Sequence, residues 1–209
     1  MRIAIIGAAG RMGQNLLRCA GRIEGCEITA ATESPDHPAI GTSVNLTGSI
    51  RPGSIPGDLR YTSEWPETAE AVIDFTFHTA AVPHLRQAVA YRQAYVLGTT
   101  GLTDREKAAV RSAAEKIPVV WAPNMSLGVN LLTELVRRAA AVLGPEYDAE
   151  IVEMHHRLKQ DAPSGTALGM AEALAEGRGV KLGEVSCFGR EGITGERPKG
   201  QIALHALRG

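Results

Sequence analysis

Between Met1 and about Met125, short apolar runs alternate with longer segments whose apolar positions return at helical spacing. Ile3-Ala4-Ile5-Ile6 reads as a buried parallel strand, and Met12, Leu16, Leu17, Ala20 and Ile23 follow it on one face of a helix. Glu27-Ile28-Thr29-Ala30-Ala31-Thr32-Glu33 reads as a second strand. Further strand-like runs stand at Ala71-Val72-Ile73-Asp74-Phe75, Tyr95-Val96-Leu97-Gly98 and Pro118-Val119-Val120-Trp121, with helices expected over His78 to Tyr91 and Thr103 to Lys116. Thr103 is the expected N-cap of the last of these, with Glu106 closing a capping box. Pro35 to Gly57, rich in Pro, Gly and Ser, reads as an irregular excursion. The alternation predicts an α/β domain, a parallel sheet with helices on both faces.

From Leu127 the pattern changes. Leu131, Leu135, Ala139 and Leu143 share a helical face beside Leu132, Val136 and Ala140, which predicts a long packed helix ended by Gly144-Pro145. Ile151-Val152-Glu153-Met154 reads as a strand delivering His155 and His156 at its end. Ala167 to Glu176 is the next helix, and Gln201 to Leu207 alternates like a sheet strand. Between them Gly189 to Arg197 is a Gly-rich loop with charged residues. The expected boundary lies near Met125 to Gly128, giving domains 1–126 and 127–209.

Two motifs carry chemistry. The turn Gly7-Ala8-Ala9-Gly10-Arg11-Met12-Gly13 joins the first strand to the first helix. Glycines there permit a tight turn and close approach of a pyrophosphate to the helix start. The spacing is G-x-x-G-x-x-G, and the supporting context is an acid at the end of the next strand, Glu33, placed to accept hydrogen bonds from an adenosine ribose. A tight strand-to-helix turn with no ligand is the alternative. In a parallel sheet ligands lie beyond the carboxyl ends of the strands. Asp74-Phe75-Thr76, Gly98-Thr99-Thr100-Gly101 and Ala122-Pro123-Asn124-Met125 fall there. Thr99, Thr100 and Asn124 suit nicotinamide or ribose hydrogen bonds, whereas Asp74 reads as a cap of the following helix.

The second motif is Glu153 to Ala167, Glu-Met-His-His-Arg-Leu-Lys-Gln-Asp-Ala-Pro-Ser-Gly-Thr-Ala. His155, His156 and Lys159 offer positive charge and transferable protons. Ser164, Gly165 and Thr166 offer backbone N–H groups at a helix start, where the dipole favours a carboxylate or phosphate. The alternative is a surface loop with solvated histidines.

Composition narrows the choice. The 209 residues are 44% apolar and 22% charged, with net charge −1, which describes an ordinary soluble protein of one large or two modest domains. No basic stripe points to nucleic acid, and no apolar run is long enough to span a membrane. The N-terminus enters a strand without the regions of a signal peptide, so a cytoplasmic location is expected. Cys19, Cys26 and Cys187 lack C-x-x-C spacing and read as buried thiols, not metal ligands.

These segments, together with Val72 to Thr76, Gly98 to Gly101, Asn124-Met125-Ser126-Leu127-Gly128-Val129-Asn130 and Arg190 to Arg197, resemble the dihydrodipicolinate reductase family (4-hydroxy-tetrahydrodipicolinate reductase) through nearly the whole chain. The His-His-x-x-Lys-x-Asp-Ala-Pro-Ser-Gly-Thr-Ala element is its most specific part. The resemblance implies an enzyme of lysine and diaminopimelate biosynthesis. It also implies a Rossmann-type dinucleotide-binding domain and a C-terminal α+β domain that binds a cyclic dicarboxylate substrate and builds a homotetramer. A hydride would go to C4 of a cyclic imine with loss of water, and a proton to C3. By the same resemblance, His155 and Lys159 are the proton donors, and His156, Gly165 and Thr166 bind the substrate. Gly7, Ala8, Ala9, Gly10, Arg11, Met12, Glu33, Gly98, Thr99, Thr100, Ala122, Pro123, Asn124 and Met125 then bind NADH or NADPH.

Two departures qualify this. Ser34 follows Glu33 where members that use NADPH well often carry Arg, so NADH is expected to serve at least equally, with Arg11 the remaining partner for a 2′-phosphate. The chain also stops at Gly209, short of the family's usual end. That predicts a truncated second domain whose last strand lacks a neighbour. It also keeps alive a catalytically impaired nucleotide-binding homologue or sensor. A semialdehyde-type dehydrogenase would need Cys187 as nucleophile, and no base is evident beside it.

Overall fold

The computed structural model describes residues 1–46, 54–122 and 124–209. Part of the irregular excursion, 47–53, and Pro123 therefore lie outside the described residues. The chain forms two compact units, Met1–Ala122 and Pro123–Gly209.

The first unit is a six-stranded sheet. Its strands are β1 (Arg2–Ile6), β2 (Glu27–Thr32), β3 (Tyr61–Thr62), β4 (Ala71–Asp74), β5 (Ala94–Leu97) and β6 (Val119–Trp121). They pair in parallel in the order β3-β2-β1-β4-β5-β6. The connections are α1 (Arg11–Ala20), α2 (His78–Ala90) and α3 (Asp104–Ala114). Alternation along β1 divides the core. Ile3 and Ile5 pack with Leu17, Ala20 and Ile28 on one face, and Ile6 packs with Leu85, Leu97 and Val110 on the other. Within α1, Leu17 and Ala20 are buried, but Met12 stays 46% exposed. The α3 capping box forms, with the Glu106 amide donating to Thr103 Oγ1 and the Thr103 amide to Glu106 Oε2.

The second unit contains α4 (Leu127–Leu143), β7 (Ala149–His155), α5 (Gly165–Gly177), α6 (Leu182–Val185), β8 (Ser186–Phe188) and β9 (Ile202–Arg208). Its sheet is parallel in the order β7-β9-β8. Here one expectation fails and another holds only in part. The last strand was expected to lack a neighbour, yet β9 is the central strand and β7 and β8 are the edges. The chain returns through the 189–197 loop and inserts the apolar segment Ile202-Ala203-Leu204, which is buried and paired on both sides. The apolar stripe expected of α4 packs only in part: Val136 and Ala140 join the core with α5, whereas Leu131, Leu132, Leu135 and Leu143 are each more than 40% exposed. A Cβ at Gly177 of α5 would stand 2.2 Å from the Arg137 carbonyl oxygen, so glycine sets how closely α4 and α5 approach. Among the described residues no helix is long and apolar enough to cross a membrane.

Candidate active site

In the first unit the strand order reverses beside β1, where an open parallel sheet forms a crevice. A cleft of about 860 Å³ lies there, lined by Gly7, Gly10, Arg11, Met12, Gly13, Glu33 and neighbours described below. The glycine loop is shaped by contact. Gly7 adopts φ +72°, and a Cβ at Gly13 would meet the Gly7 carbonyl oxygen at 2.2 Å. Helix α1 starts at Gly10 with no side-chain cap, which leaves its first amides without a side-chain acceptor, the arrangement an anion can use. Glu33 Oε1 accepts from the Ala9 amide at 2.8 Å, which fixes the acid against the loop. A glycine cradle, an uncapped helix start and an acid at the end of β2 fit a dinucleotide.

The opposite wall is built on Asp74, a fully buried carboxylate. It is no helix cap, for α2 begins after Phe77. Its Oδ1 accepts from the Thr76 amide and hydroxyl at 2.8 and 2.7 Å; its Oδ2 lies 2.6 Å from His84 Nδ1 and accepts from Tyr95 Oη at 2.5 Å. Burial acts to raise the Asp74 carboxyl, but the His84, Tyr95 and Thr76 bonds outweigh it and hold it below its ordinary range. The same carboxylate pushes the Tyr95 hydroxyl upward, after the larger effect of burial. This knot holds Phe75, Thr76 and Phe77 along the cleft. Thr99 Oγ1 donates to the Thr76 carbonyl at 2.9 Å, so its hydroxyl ties two strand ends together; Thr100 is exposed. Gly98 makes room for the Phe75 ring, which a Cβ would overlap at 2.2 Å. Ala122 closes β6 through its amide to the Leu97 carbonyl. Trp65, His37, Phe77, Pro83 and His84 also line the cleft and escaped sequence reasoning. They come from the loops after β2, β3 and β4 and from the body of α2, outside any glycine motif.

In the second unit β7 places Ala149, Ile151, Glu153 and His155 on one face and Glu150, Val152 and Met154 on the other. The first face carries α5, whose N-cap Ser164 accepts from the Ala167 amide at 3.1 Å. Ser164 cannot offer its own amide to a ligand, as its N–H donates to Glu153 Oε1 at 2.8 Å. Gly165 and Thr166 form the first turn of the helix, and Thr166 Oγ1 accepts from Asn124 Nδ2 at 3.0 Å. Asn124 also accepts from the Ser126 amide and so organises the start of α4; Met125 beside it is 40% exposed. His155 Nδ1 lies 3.4 Å from Glu153 Oε2. His156 is exposed, its Nδ1 accepting from the Leu158 amide. Lys159 Nζ is paired with Asp161 at 2.8 and 2.9 Å, and that pairing is the main cause that lowers the Asp161 carboxyl. Arg208, at the end of β9, donates to the Lys159 and Asp161 carbonyls and so braces this loop. Glu153, Asp161 and Arg208 were not among the expected site residues. Glu153 was legible as the residue two before His155 on the same strand face. Among the described residues no group of three His, Cys, Asp or Glu is placed to hold a metal ion.

A parallel sheet in this order with a glycine-loop cleft, joined to a second unit bearing histidines beside the start of α5, is the arrangement of a two-domain oxidoreductase of the dinucleotide-binding class. Sequence models of the dihydrodipicolinate reductase N-terminus and C-terminus match residues 1–125 and 128–209. The chain is 44% identical over 210 residues to the 4-hydroxy-tetrahydrodipicolinate reductase of Magnetococcus marinus, covering 100% of itself and 78% of that protein. It is 46% identical over 212 residues to the enzyme of the same name from Rubrobacter xylanophilus, covering 77% of that protein. A dipicolinate-bound dihydrodipicolinate reductase from Paenisporosarcina sp. TG-14 superposes over the whole chain and 78% of its own with a TM-score of 0.70 at 27% identity. The chain belongs to the dihydrodipicolinate reductase family. An aspartate semialdehyde dehydrogenase from Vibrio cholerae shares the fold alone, at 10% identity and TM-score 0.52.

Proposed function

We propose that the chain reduces 4-hydroxy-tetrahydrodipicolinate to tetrahydrodipicolinate with NADH or NADPH, in lysine and diaminopimelate biosynthesis. The observation that carries this reading is the pairing of His155 with the α5 start on one face of the second unit, in a chain whose first unit holds a dinucleotide-shaped cleft. When bound, the reduced nicotinamide supplies the hydride. The chain's own residues do the rest. Gly7, Ala8, Ala9, Gly10, Arg11 and Met12 receive the pyrophosphate, and Glu33 accepts from the adenosine ribose. Gly98, Thr99, Thr100 and Ala122 serve the nicotinamide end of the cofactor, and Asn124 and Met125 are cofactor contacts of the second unit. His156 and the amides of Gly165 and Thr166 receive a substrate carboxylate. His155 gives the proton to C3, and Lys159, freed from Asp161, neutralises charge that develops on the substrate.

A cytoplasmic location and a homotetramer complete the proposal. Assembly is supported by Val152, Met154 and Leu207, exposed on the sheet face away from α5, and by the exposed leucines of α4. The test is a coupled assay with freshly generated substrate, following oxidation of each reduced cofactor. Oxidation that depends on substrate and saturates with it is expected. A folded protein that binds cofactor without turning over would instead favour the impaired homologue.

A further inference from the structure

Two buried polar atoms in the second unit face each other. Glu153 Oε2 and His155 Nδ1 stand 3.4 Å apart without the alignment of a hydrogen bond, and neither has a hydrogen-bond partner among the described residues. The Glu153 side chain is 9% exposed. A buried carboxylate oxygen with no donor is costly. A small rotation of the imidazole satisfies both atoms at once. We infer that Glu153 is a positioning residue for proton transfer: its Oε2 receives the Nδ1 proton of His155 and leaves Nε2 as the nitrogen that gives up its proton. This rests on the reading of His155 as proton donor.

The step balances simply. The Nε2–H bond of the imidazolium breaks as the C3–H bond of the substrate forms. The ring becomes the neutral Nδ1–H tautomer, held by Glu153, and solvent later restores the proton. Glu153 itself stays ionised throughout. Burial acts to raise its carboxyl, but the Ser164 bonds and the charges of His155 and Arg208 hold it below the ordinary carboxylate range. The other charged groups around the pair are Arg208 on β9 and, in the loop after β7, His156 and the Lys159–Asp161 ion pair. Because Oε1 accepts from the Ser164 amide, one carboxylate fixes both the histidine and the helix start that receives the substrate.

A purely structural Glu153 would only anchor Ser164. Glu153→Gln separates the two roles, since its carbonyl still accepts from Ser164 while the charge is gone. A general acid loses activity as pH rises through its own titration, so removing its anionic partner moves that loss to lower pH. We expect Glu153→Gln to lower kcat about tenfold and to move the alkaline limb of the kcat–pH profile to lower pH. KM should stay nearly constant, and Glu153→Asp should restore much of the limb. The His155 ring-nitrogen resonances should report loss of the Nδ1–H tautomer in the Gln variant, whose side-chain NH2 can only donate to Nδ1. If limb and resonances both stay at their wild-type positions while His155→Ala still abolishes turnover, Glu153 only anchors Ser164 and the inference fails. If His155→Ala retains turnover, the proton-donor reading fails instead, and the resonances alone report the pairing. Should Glu153→Gln not fold, nitrogen shifts of wild-type His155 decide: Nδ1–H in the neutral ring supports the inference, and Nε2–H overturns it.

Discussion

Glu33 stands just after β2 with one oxygen on the Ala9 amide, so its negative charge is fixed at the edge of the glycine loop. A ribose diol can donate to the free lone pairs of such a carboxylate, whereas a 2′-phosphate would meet it at close range at a cost of roughly 1 kcal/mol or more. Ser34 beside it offers a hydroxyl and no charge. Arg11 lines the same cleft, where its charge would offset part of that repulsion. NADH is therefore expected to match or exceed NADPH in kcat/KM, and Ser34→Arg should move the ratio towards NADPH by about tenfold, the factor that roughly 1.4 kcal/mol represents. Steady-state kinetics with both cofactors checks this. A wild-type preference of tenfold for NADPH would mean that Arg11 or His37 governs the pocket.

At the scale of elements, the 189–197 loop is held to β7 by a carboxylate shared between two arginines. Glu150 accepts from Arg190 at 2.9 and 3.1 Å, from Arg197 at 2.8 Å, and lies 2.7 Å from His205 Nε2. The Arg190 bonds, with Arg197 and His205, bring its carboxyl down to about 2 against a smaller opposing effect of burial. A carboxylate lowered on folding stabilises the folded state fully above its unfolded value, and that stability is lost as pH falls through the folded value. Glu150→Gln should therefore lower the urea midpoint at neutral pH, and the gap from wild type should close as pH falls from the ordinary glutamate range towards 2. A gap independent of pH would mean that shape, not charge, holds the loop. This clamp was not legible in the sequence, for Glu150 and Arg197 are 47 residues apart. Five of the six strands of the first unit were legible as runs bounded by turn residues, β3 (Tyr61–Thr62) being too short to stand out, and the Thr103–Glu106 box is a purely local signal. Strand order was not. Periodicity marked 201–207 as a strand, but nothing local says that two neighbours flank it. Periodicity likewise showed the apolar stripe of α4 without showing that Val136 and Ala140, and not its leucines, would meet the core.

Across the whole molecule, the proposed chemistry is divided between the two units. The first holds a cleft shaped for a dinucleotide and walled by the Asp74 knot; the second holds His155 and the α5 start. The glycine loop and the His155–Thr166 segment were readable as motifs, since their residues are consecutive. Asp74, His84 and Tyr95 were not, because their contact depends on how α2 and β5 lie against β4. That division yields the most direct test of the account. Cofactor affinity, read by quenching or enhanced emission of reduced nicotinamide, and kcat should be measured on the same preparations of wild type and His155→Ala. The account predicts that kcat falls on the order of 10² or more while the dissociation constant for NADH stays within about twofold. A variant that keeps wild-type kcat, or that loses cofactor binding and turnover together, would contradict it.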